Sequence, residues 1–263
     1  MRHSPSSAVW SEPPDPMSGD RIRLDQALVE KGLLPSRARA RDAILRGHVR
    51  VDGAPADKPA LSVSPEARLE LDDPAAAYVS RGALKLDAAL DAFGYPVEGV
   101  MALDLGASTG GFTEVLLQRG AAHVFAVDVG HGQLHQRLAG DPRVTSLEGL
   151  NARDLTADMI EAPVDAITAD VSFISLRLVL PPALALAAPK AWGAFLIKPQ
   201  FEVGREHIGK GGIVRDPALA EKAASDMAGW LAGLGGWTVD GPIPSPLPGG
   251  DGNREFLIGI RRG

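Results

Sequence analysis

The sequence predicts two folded parts: a large α/β domain built on a mainly parallel sheet with helices on both faces, and a smaller α+β module ahead of it. Three observations carry this reading. From residue 100 onward, strand-like apolar runs at 100–105, 123–129, 144–147, 164–170, 194–198, 237–239 and 255–260 alternate with mostly helical segments, the pattern that builds a parallel sheet. Before them, residues 21–72 hold two short helices, a strand, a tight turn and a closing strand. The chain has 263 residues, 45% of them hydrophobic, which is enough for one large core and one small one.

Taken in order, residues 1–20 are rich in Pro and Ser, and they lack the basic start and apolar centre of a signal peptide; they are expected to form a disordered leader. In the module, Ile22, Leu24, Ala27 and Leu28 recur at helical spacing and Gly32 closes that helix. Ser36 is a favourable N-cap for a second helix, which carries Ala38, Ala40, Ala43, Ile44 and Leu45 and stops at Gly47. His48-Val49-Arg50-Val51 followed by Asp52-Gly53 reads as a strand and a tight turn, and 68–71 alternates as a closing strand. Residues 73–82 read as a linker and 83–263 as the large domain, beginning with a helix that Gly94 ends. The clearest helix is 217–234; another over 174–188 is expected to kink or split at Pro181-Pro182.

Composition narrows the chemistry. The chain has no cysteine, which excludes disulfides, thiolate metal sites and cysteine nucleophiles and fits a reducing, cytoplasmic setting. His131 and His135 stand four apart without a third ligand pattern, so they read as a surface pair and no metal is expected. The longest apolar stretch, 178–189, is too short to span a bilayer, so no membrane partner is expected. The formal net charge of −6 argues against a nucleic-acid binder as a whole. Yet Arg37, Arg39, Arg41, Arg46 and Arg50 crowd one short segment against only Asp42, a local basic face of the kind RNA requires.

The sharpest local signal is MALDLGASTGGFT, residues 101–113: an apolar strand with an acid near its end, a Gly-rich turn, then a helix. Glycines let backbone approach a ligand closely, and such a turn alone would equally suit a dinucleotide. Asp104 tilts the reading, because a carboxylate before the glycines suits a cationic sulfonium with an amino-acid tail better than a pyrophosphate. Asp128 ends the next strand, where an acid accepts both hydroxyls of an adenosine ribose, and Asp154, just after the third, is placed to reach an adenine edge. In series at the carboxyl edge of an open α/β sheet these acids favour S-adenosylmethionine, cradled by Gly106, Ala107, Ser108, Thr109, Gly110, Gly111 and Phe112.

Two polar residues interrupt apolar strands at that edge: Asp170 in AITADVSFISL and Lys198 in AFLIKPQFE. A lysine after Phe195-Leu196-Ile197 is partly buried, which is unfavourable unless it is paired or functional. Glu255 opens the last strand, expected to run antiparallel beside the fifth, so Glu255 and Lys198 become neighbours; Lys85, on the helix before the first strand, reaches the same edge.

The module resembles an S4 RNA-binding domain on RLDQALVEKGLLPSRARARDAILRGHVRVDG. That resemblance implies phosphate contacts by Arg23, Arg37, Arg41 and Arg46, which set affinity and register rather than sequence. Lys85, Asp170, Lys198 and Glu255 match the Lys-Asp-Lys-Glu tetrad of the FtsJ-like ribose 2′-O-methyltransferases, which have a Rossmann-like seven-stranded methyltransferase domain. With YVSRGALKL, DLGASTGGFT, ITADVSFISL and IKPQFEVGREHIGKGGIVRD, nearly everything after Asp20 is similar to the TlyA family, rRNA cytidine 2′-O-methyltransferases often labelled haemolysins. The resemblance implies S-adenosyl-L-methionine as cofactor and ribosomal RNA, 23S and in some members also 16S, within ribosomal subunits as partner; it leaves the oligomeric state open. In the implied reaction Lys198 either accepts the hydroxyl proton or stabilises the growing oxyanion, Asp170 orients it, and Glu255 and Lys85 hold the ribose.

Rival readings are weaker. Amino-group methylation usually has an Asn/Asp-Pro-Pro-aromatic clamp where this chain has Asp170-Val171-Ser172-Phe173. Cytosine C5 methylation by the usual route requires a cysteine. A membrane-active haemolysin lacks a convincing lytic helix here, and a non-catalytic RNA-binding ribosome-assembly factor has no use for an intact tetrad.

Overall fold

A computed structural model describes residues 21–160 and 163–263; the leader expected over 1–20 lies outside the described residues. The chain divides between Pro74 and Ala75 into two compact units.

In the first unit, β1 (Ile22–Arg23) leads directly into α1 (Leu24–Glu30), followed by α2 (Arg37–Leu45), β2 (Val49–Val51), β3 (Ala54–Pro55), β4 (Ser62–Val63) and β5 (Leu69–Leu71). The Ser36 hydroxyl accepts from Arg39 N at 3.3 Å and so starts α2. Asp52 and Gly53, at φ 51° and 82°, form the tight turn between β2 and β3. The sheets are small, β1 with β4 and β3-β2-β5, and Leu24, Leu28, Ile44, Val49 and Val63 fill the core between them and the helices. Ile22, read from its spacing as helical, is in β1: pairing with Val63 takes it out of the helix.

The second unit carries α3 (Ala83–Phe93), β6 (Met101–Leu105), α4 (Gly111–Gln118), β7 (His123–Asp128), α5 (Gln136–Ala139), β8 (Val144–Glu148), β9 (Val164–Ala169), α6 (Leu176–Ala185), β10 (Ala187–Ile197), α7 (Pro199–Glu202), α8 (Pro217–Ala232), β11 (Trp237–Pro244) and β12 (Phe256–Arg262). The strands form one seven-stranded sheet, ordered β11-β12-β10-β9-β6-β7-β8. β6 through β10 pair in parallel, and β12 runs antiparallel between β10 and β11. Alternate strand residues feed two cores, as a two-sided sheet requires: Leu103, Phe125 and Ile167 pack on one side, Ala102, Val124 and Ala166 on the other.

Helix α6 runs unbroken across Pro181 and Pro182 rather than splitting. The carbonyls those prolines leave without donors, on Arg177 and Leu178, belong to its first turn, where Leu178 is exposed to water. β10 begins seven residues before the apolar run that marked it, because its start pairs with Val164 at Ala187 before the register shifts.

Candidate active site

The topology brings the ends of β6, β7, β9 and β10 and the start of β12 to one edge. After β6 the backbone turns through three left-handed positions, Gly106 (φ 78°), Ser108 (φ 49°) and Gly110 (φ 98°), into α4. Glycine is required at Gly106 twice over, since a Cβ there would also lie 2.7 Å from the Asp170 carbonyl oxygen. A Cβ on Gly111 would lie 3.0 Å from the Ser80 Cβ and 3.1 Å from Ala83 N, so α4 starts closely packed against the segment leading into α3.

Two adjoining cavities open at this edge. The larger, about 500 Å³, is an apolar slot between Val127, Val129, Leu150, Val171 and Val179, with Asp128, Gln133 and Asn151 as its polar groups and Phe173 at its rim. The smaller, about 160 Å³, is polar and is lined by Gly106–Thr109, Gly111, Phe112, Ser80, Gly82, Asp170, Ser172 and Lys198. Gly106, Ser108, Asp170 and Ser172 line both.

The sequence-derived acids are not equivalent in this setting. Asp128 lines the slot, its two oxygens accepting from Ser108 N at 2.8 Å and Gly130 N at 2.7 Å; each oxygen keeps a lone pair for a ligand. Asp104 is wholly buried beneath the loop and lines neither cavity. Its carboxyl accepts from the hydroxyls of Thr113 at 2.7 Å and Thr168 at 2.9 Å. Burial pushes its pKa up to about 6 against those two hydroxyls, with the charge of Asp170 adding to the rise. The expected ligand carboxylate is thus a support for the loop. Asp154 is exposed at the end of a 3-10 turn over Ala152–Asp154 and also lines neither cavity. Asn151, which caps that turn, and Ala152, which opens it, line the larger cavity instead. Gln133 escaped the sequence reading altogether: it arrives from the loop after β7, where its Oε1 accepts from Ser108 Oγ at 3.2 Å. Glu148, at the end of β8, fixes that loop by accepting from Gly132, Gln133 and Leu134 N, bonds that hold its carboxyl below the ordinary carboxylate range.

Lys198 and Asp170 face each other at 2.7 Å, and Lys198 Nζ donates to Ser172 Oγ at 2.8 Å, all three in the smaller cavity. Ile197 pairs with Phe256 across β10 and β12, so Lys198 and Glu255 are the next residues beyond that pair. Glu255 nevertheless bonds elsewhere. Lys85 Nζ donates to Glu255 Oε2 at 2.5 Å, with both residues only 5% exposed. The four residues therefore stand as two ion pairs, one open to the cavity and one sealed from it.

In the first unit, Arg23 and Arg37 both donate to Asp25, and these bonds, that from Arg23 foremost, hold the Asp25 carboxyl down to about 2. Each guanidinium stays about half exposed. Arg41 is exposed. Arg46 is a correction to the expected phosphate contacts: it donates through two nitrogens to Asp73 at 3.0 and 2.6 Å and to Asp42 at 2.9 Å, with its side chain 14% exposed. The module uses that guanidinium for its own packing.

The chain matches the FtsJ-like methyltransferase family over residues 78–262 and the S4 domain over residues 22–69. It is 50% identical over 242 residues, 92% of this chain and 90% of the relative, to the 16S/23S rRNA (cytidine-2′-O)-methyltransferase TlyA of Mycobacterium tuberculosis. It is 37% identical to the 23S rRNA (cytidine-2′-O)-methyltransferase TlyA of Campylobacter jejuni, over 72% of this chain and 73% of that protein. Hemolysin A of Brachyspira hyodysenteriae is 40% identical, over 90% of this chain and 98% of that one. A solved structure carrying a hemolysin name, from Streptococcus thermophilus, superposes with a TM-score of 0.72 at 40% identity, covering 92% of this chain and 89% of that one.

Proposed function

The chain belongs to the TlyA family of FtsJ-like methyltransferases, and from that premise we propose that it transfers a methyl group from S-adenosylmethionine to the ribose 2′-hydroxyl of a cytidine in ribosomal RNA. The observation that carries this reading is the Lys198–Asp170–Ser172 cluster in the cavity that adjoins the glycine-rich loop.

The cavities fit the cofactor. The apolar slot suits an adenine ring, with Asn151 as a polar group at its wall and Asp128 at the edge where the ribose hydroxyls would donate. The smaller cavity suits the amino-acid tail, whose carboxylate is favoured by the open amides at the start of α4. The loop that walls this cavity packs closely on Asp170 and on Ser80 and Ala83 because Gly106 and Gly111 carry no side chain. When bound there, S-adenosylmethionine supplies an electrophilic methyl group.

The chain's own residues do the rest. Lys198 is the group placed to meet the substrate hydroxyl, as proton acceptor or as the cation that stabilises its developing negative charge. Asp170 and Ser172 fix the direction of the Lys198 amine through two contacts, so little reorganisation remains when the hydroxyl arrives. The sealed Lys85–Glu255 pair ties α3 to the residue that leads into β12. The exposed arginines of the S4 unit supply phosphate contacts that recruit the rRNA. Because the relatives are named as 16S/23S rRNA methyltransferases, we place the enzyme in the cytoplasm with the ribosomal subunits.

The test is transfer of labelled methyl to separated small and large subunits, with Lys198→Ala in parallel. Label recovered as 2′-O-methylcytidine, and lost in the variant, is the expected result and names the subunit. No label in either subunit from a protein that binds S-adenosylhomocysteine would replace the enzyme by an RNA-binding assembly factor.

A further inference from the structure

Two residues beyond Lys198, on α7, Gln200 is 8% exposed, and its Oε1 is enclosed with no hydrogen-bond partner among the described residues. An enclosed acceptor without a donor is unfavourable, and such a group in a native structure calls for something else that satisfies it. The carboxamide is not adrift. Glu202, on the same short helix, accepts from Ser175 Oγ at 2.6 Å and Leu176 N at 2.9 Å, which ties α7 to the start of α6.

Gln200 lines a recess of about 490 Å³ with Phe173, Phe201, Val203, Arg205 and Ile208. Phe173 also stands at the rim of the larger cavity, so the recess shares a wall with that cavity, which in turn adjoins the one that Lys198 lines. The recess has apolar sides, one cation and one unsatisfied amide, which is the character of a pocket for a planar polar heterocycle.

We propose that Gln200 is a specificity-determining residue that reads the base of the nucleotide being methylated, its Oε1 accepting from the exocyclic amine of cytosine and its Nε2 donating to the neighbouring ring nitrogen. The inference rests on the cytidine reading above and deepens it. A carboxamide offers an acceptor and a donor side by side, and an amine next to a ring nitrogen is the pattern that glutamine reads on a base edge elsewhere. Uracil presents a carbonyl where cytosine has its amine. Facing it, Oε1 would meet a second acceptor; turning the amide over would pair Nε2 with that carbonyl and Oε1 with the uracil N3–H, but it would put an NH2 in the enclosed position that Oε1 now fills, with one of its two N–H groups given no acceptor by the base.

The experiment uses the full chain and ribosomal subunits lacking the modification. The wild-type enzyme first locates its cytidine, and a second batch of subunits carries uridine there. With cofactor saturating, the wild type is expected to methylate the uridine substrate about tenfold or more slowly than the cytidine one. Gln200→Leu is expected to lose about tenfold on cytidine and to treat both substrates within about twofold, with unchanged affinity for S-adenosylhomocysteine. Gln200→Glu, which keeps the acceptor, is expected to retain more cytidine activity than Gln200→Leu. Equal wild-type rates on the two substrates would overturn the proposal whatever the variants do, as would a Gln200→Leu enzyme that still discriminates. Absence of any 2′-O-methylcytidine from the wild type would instead remove the cytidine reading itself, and this inference with it.

Discussion

Two lysine–carboxylate pairs stand at the same edge of the sheet, and they differ chiefly in what can reach them. Lys198 and Asp170 keep 12% and 24% of their side chains exposed and line a cavity; Lys85 and Glu255 keep 7% and 2% and line none of the cavities described. We therefore expect the same two charges to do different work. In the open pair the amine is held by one carboxylate and one hydroxyl and still lines the smaller cavity. In the sealed pair each charge is satisfied by the other, and neither tolerates loss of its partner. Residue type placed all four in one catalytic group; access to the cavity separates them.

The largest expected effect falls on the open pair. Lys198→Ala should lower the methylation rate by about 10²–10⁴-fold, the range for a positioned acid–base or electrostatic group, while S-adenosylhomocysteine affinity and the melting temperature stay near wild type. Next comes the sealed pair. Lys85→Met leaves the Glu255 carboxylate buried without a counter-charge, which should destabilise the fold by about 3–5 kcal/mol in chemical denaturation. The double variant Lys85→Met/Glu255→Leu should recover most of that loss, because an apolar pair of similar volume satisfies the same space. If Lys85→Met kept its stability and lost only its rate, the sealed pair would belong to the chemistry and the distinction would be gone.

Asp104 sharpens the same contrast, as a buried carboxyl at this edge that bonds two hydroxyls and, among the described residues, no cation. Its ordinary value is 3.8 and burial pushes it to about 6. Between those values the folded protein holds a proton that the unfolded chain releases. The contribution is therefore full below pH 3.8 and is lost as pH rises to about 6, by about 3 kcal/mol at most. Asp104→Asn cannot ionise and lacks that slope. The stability of wild type minus variant should fall between pH 4 and pH 6 and level off above, measured by urea unfolding at each pH. A flat difference would mean that Asp104 ionises like an exposed carboxyl.

How much of this was legible in the sequence depended on the distance over which each contact is made. The strand–glycine–helix signature, the acid ending β7 and the polar interruptions at Asp170 and Lys198 are local features, and each fell on the cavity edge. Asp104 was legible as an acid and illegible as a buried one, because Thr168, which helps to enclose it, lies 64 residues away on β9. Gln133 and Asn151 reach the slot only through the paths of their loops, which carry no periodicity to read. The pairing of Lys85 with Glu255 spans 170 residues and depends on how α3 packs against β12. Arg46 was misread for the same reason, since Asp73, assigned to a linker, is its partner 27 residues on.

The arginines of the S4 unit repeat the contrast between open and sealed charges on a smaller energy scale. Arg41 is exposed, whereas Arg46 is clamped by Asp42 and Asp73. An exposed cation that meets phosphate adds affinity by releasing counterions, so its loss should weaken rRNA binding modestly and lower the slope of log affinity against log salt by about one unit. Arg41→Ala should show that signature with an unchanged melting temperature. Arg46→Ala should show the converse, a lower melting temperature for the module with the salt slope intact, because it removes the guanidinium that bonds both oxygens of the buried Asp73 carboxylate. Equal slopes for wild type and Arg41→Ala would move the RNA contact off α2 and onto other cations of the unit, Arg23 and Arg37 first, since both remain half exposed beside Asp25.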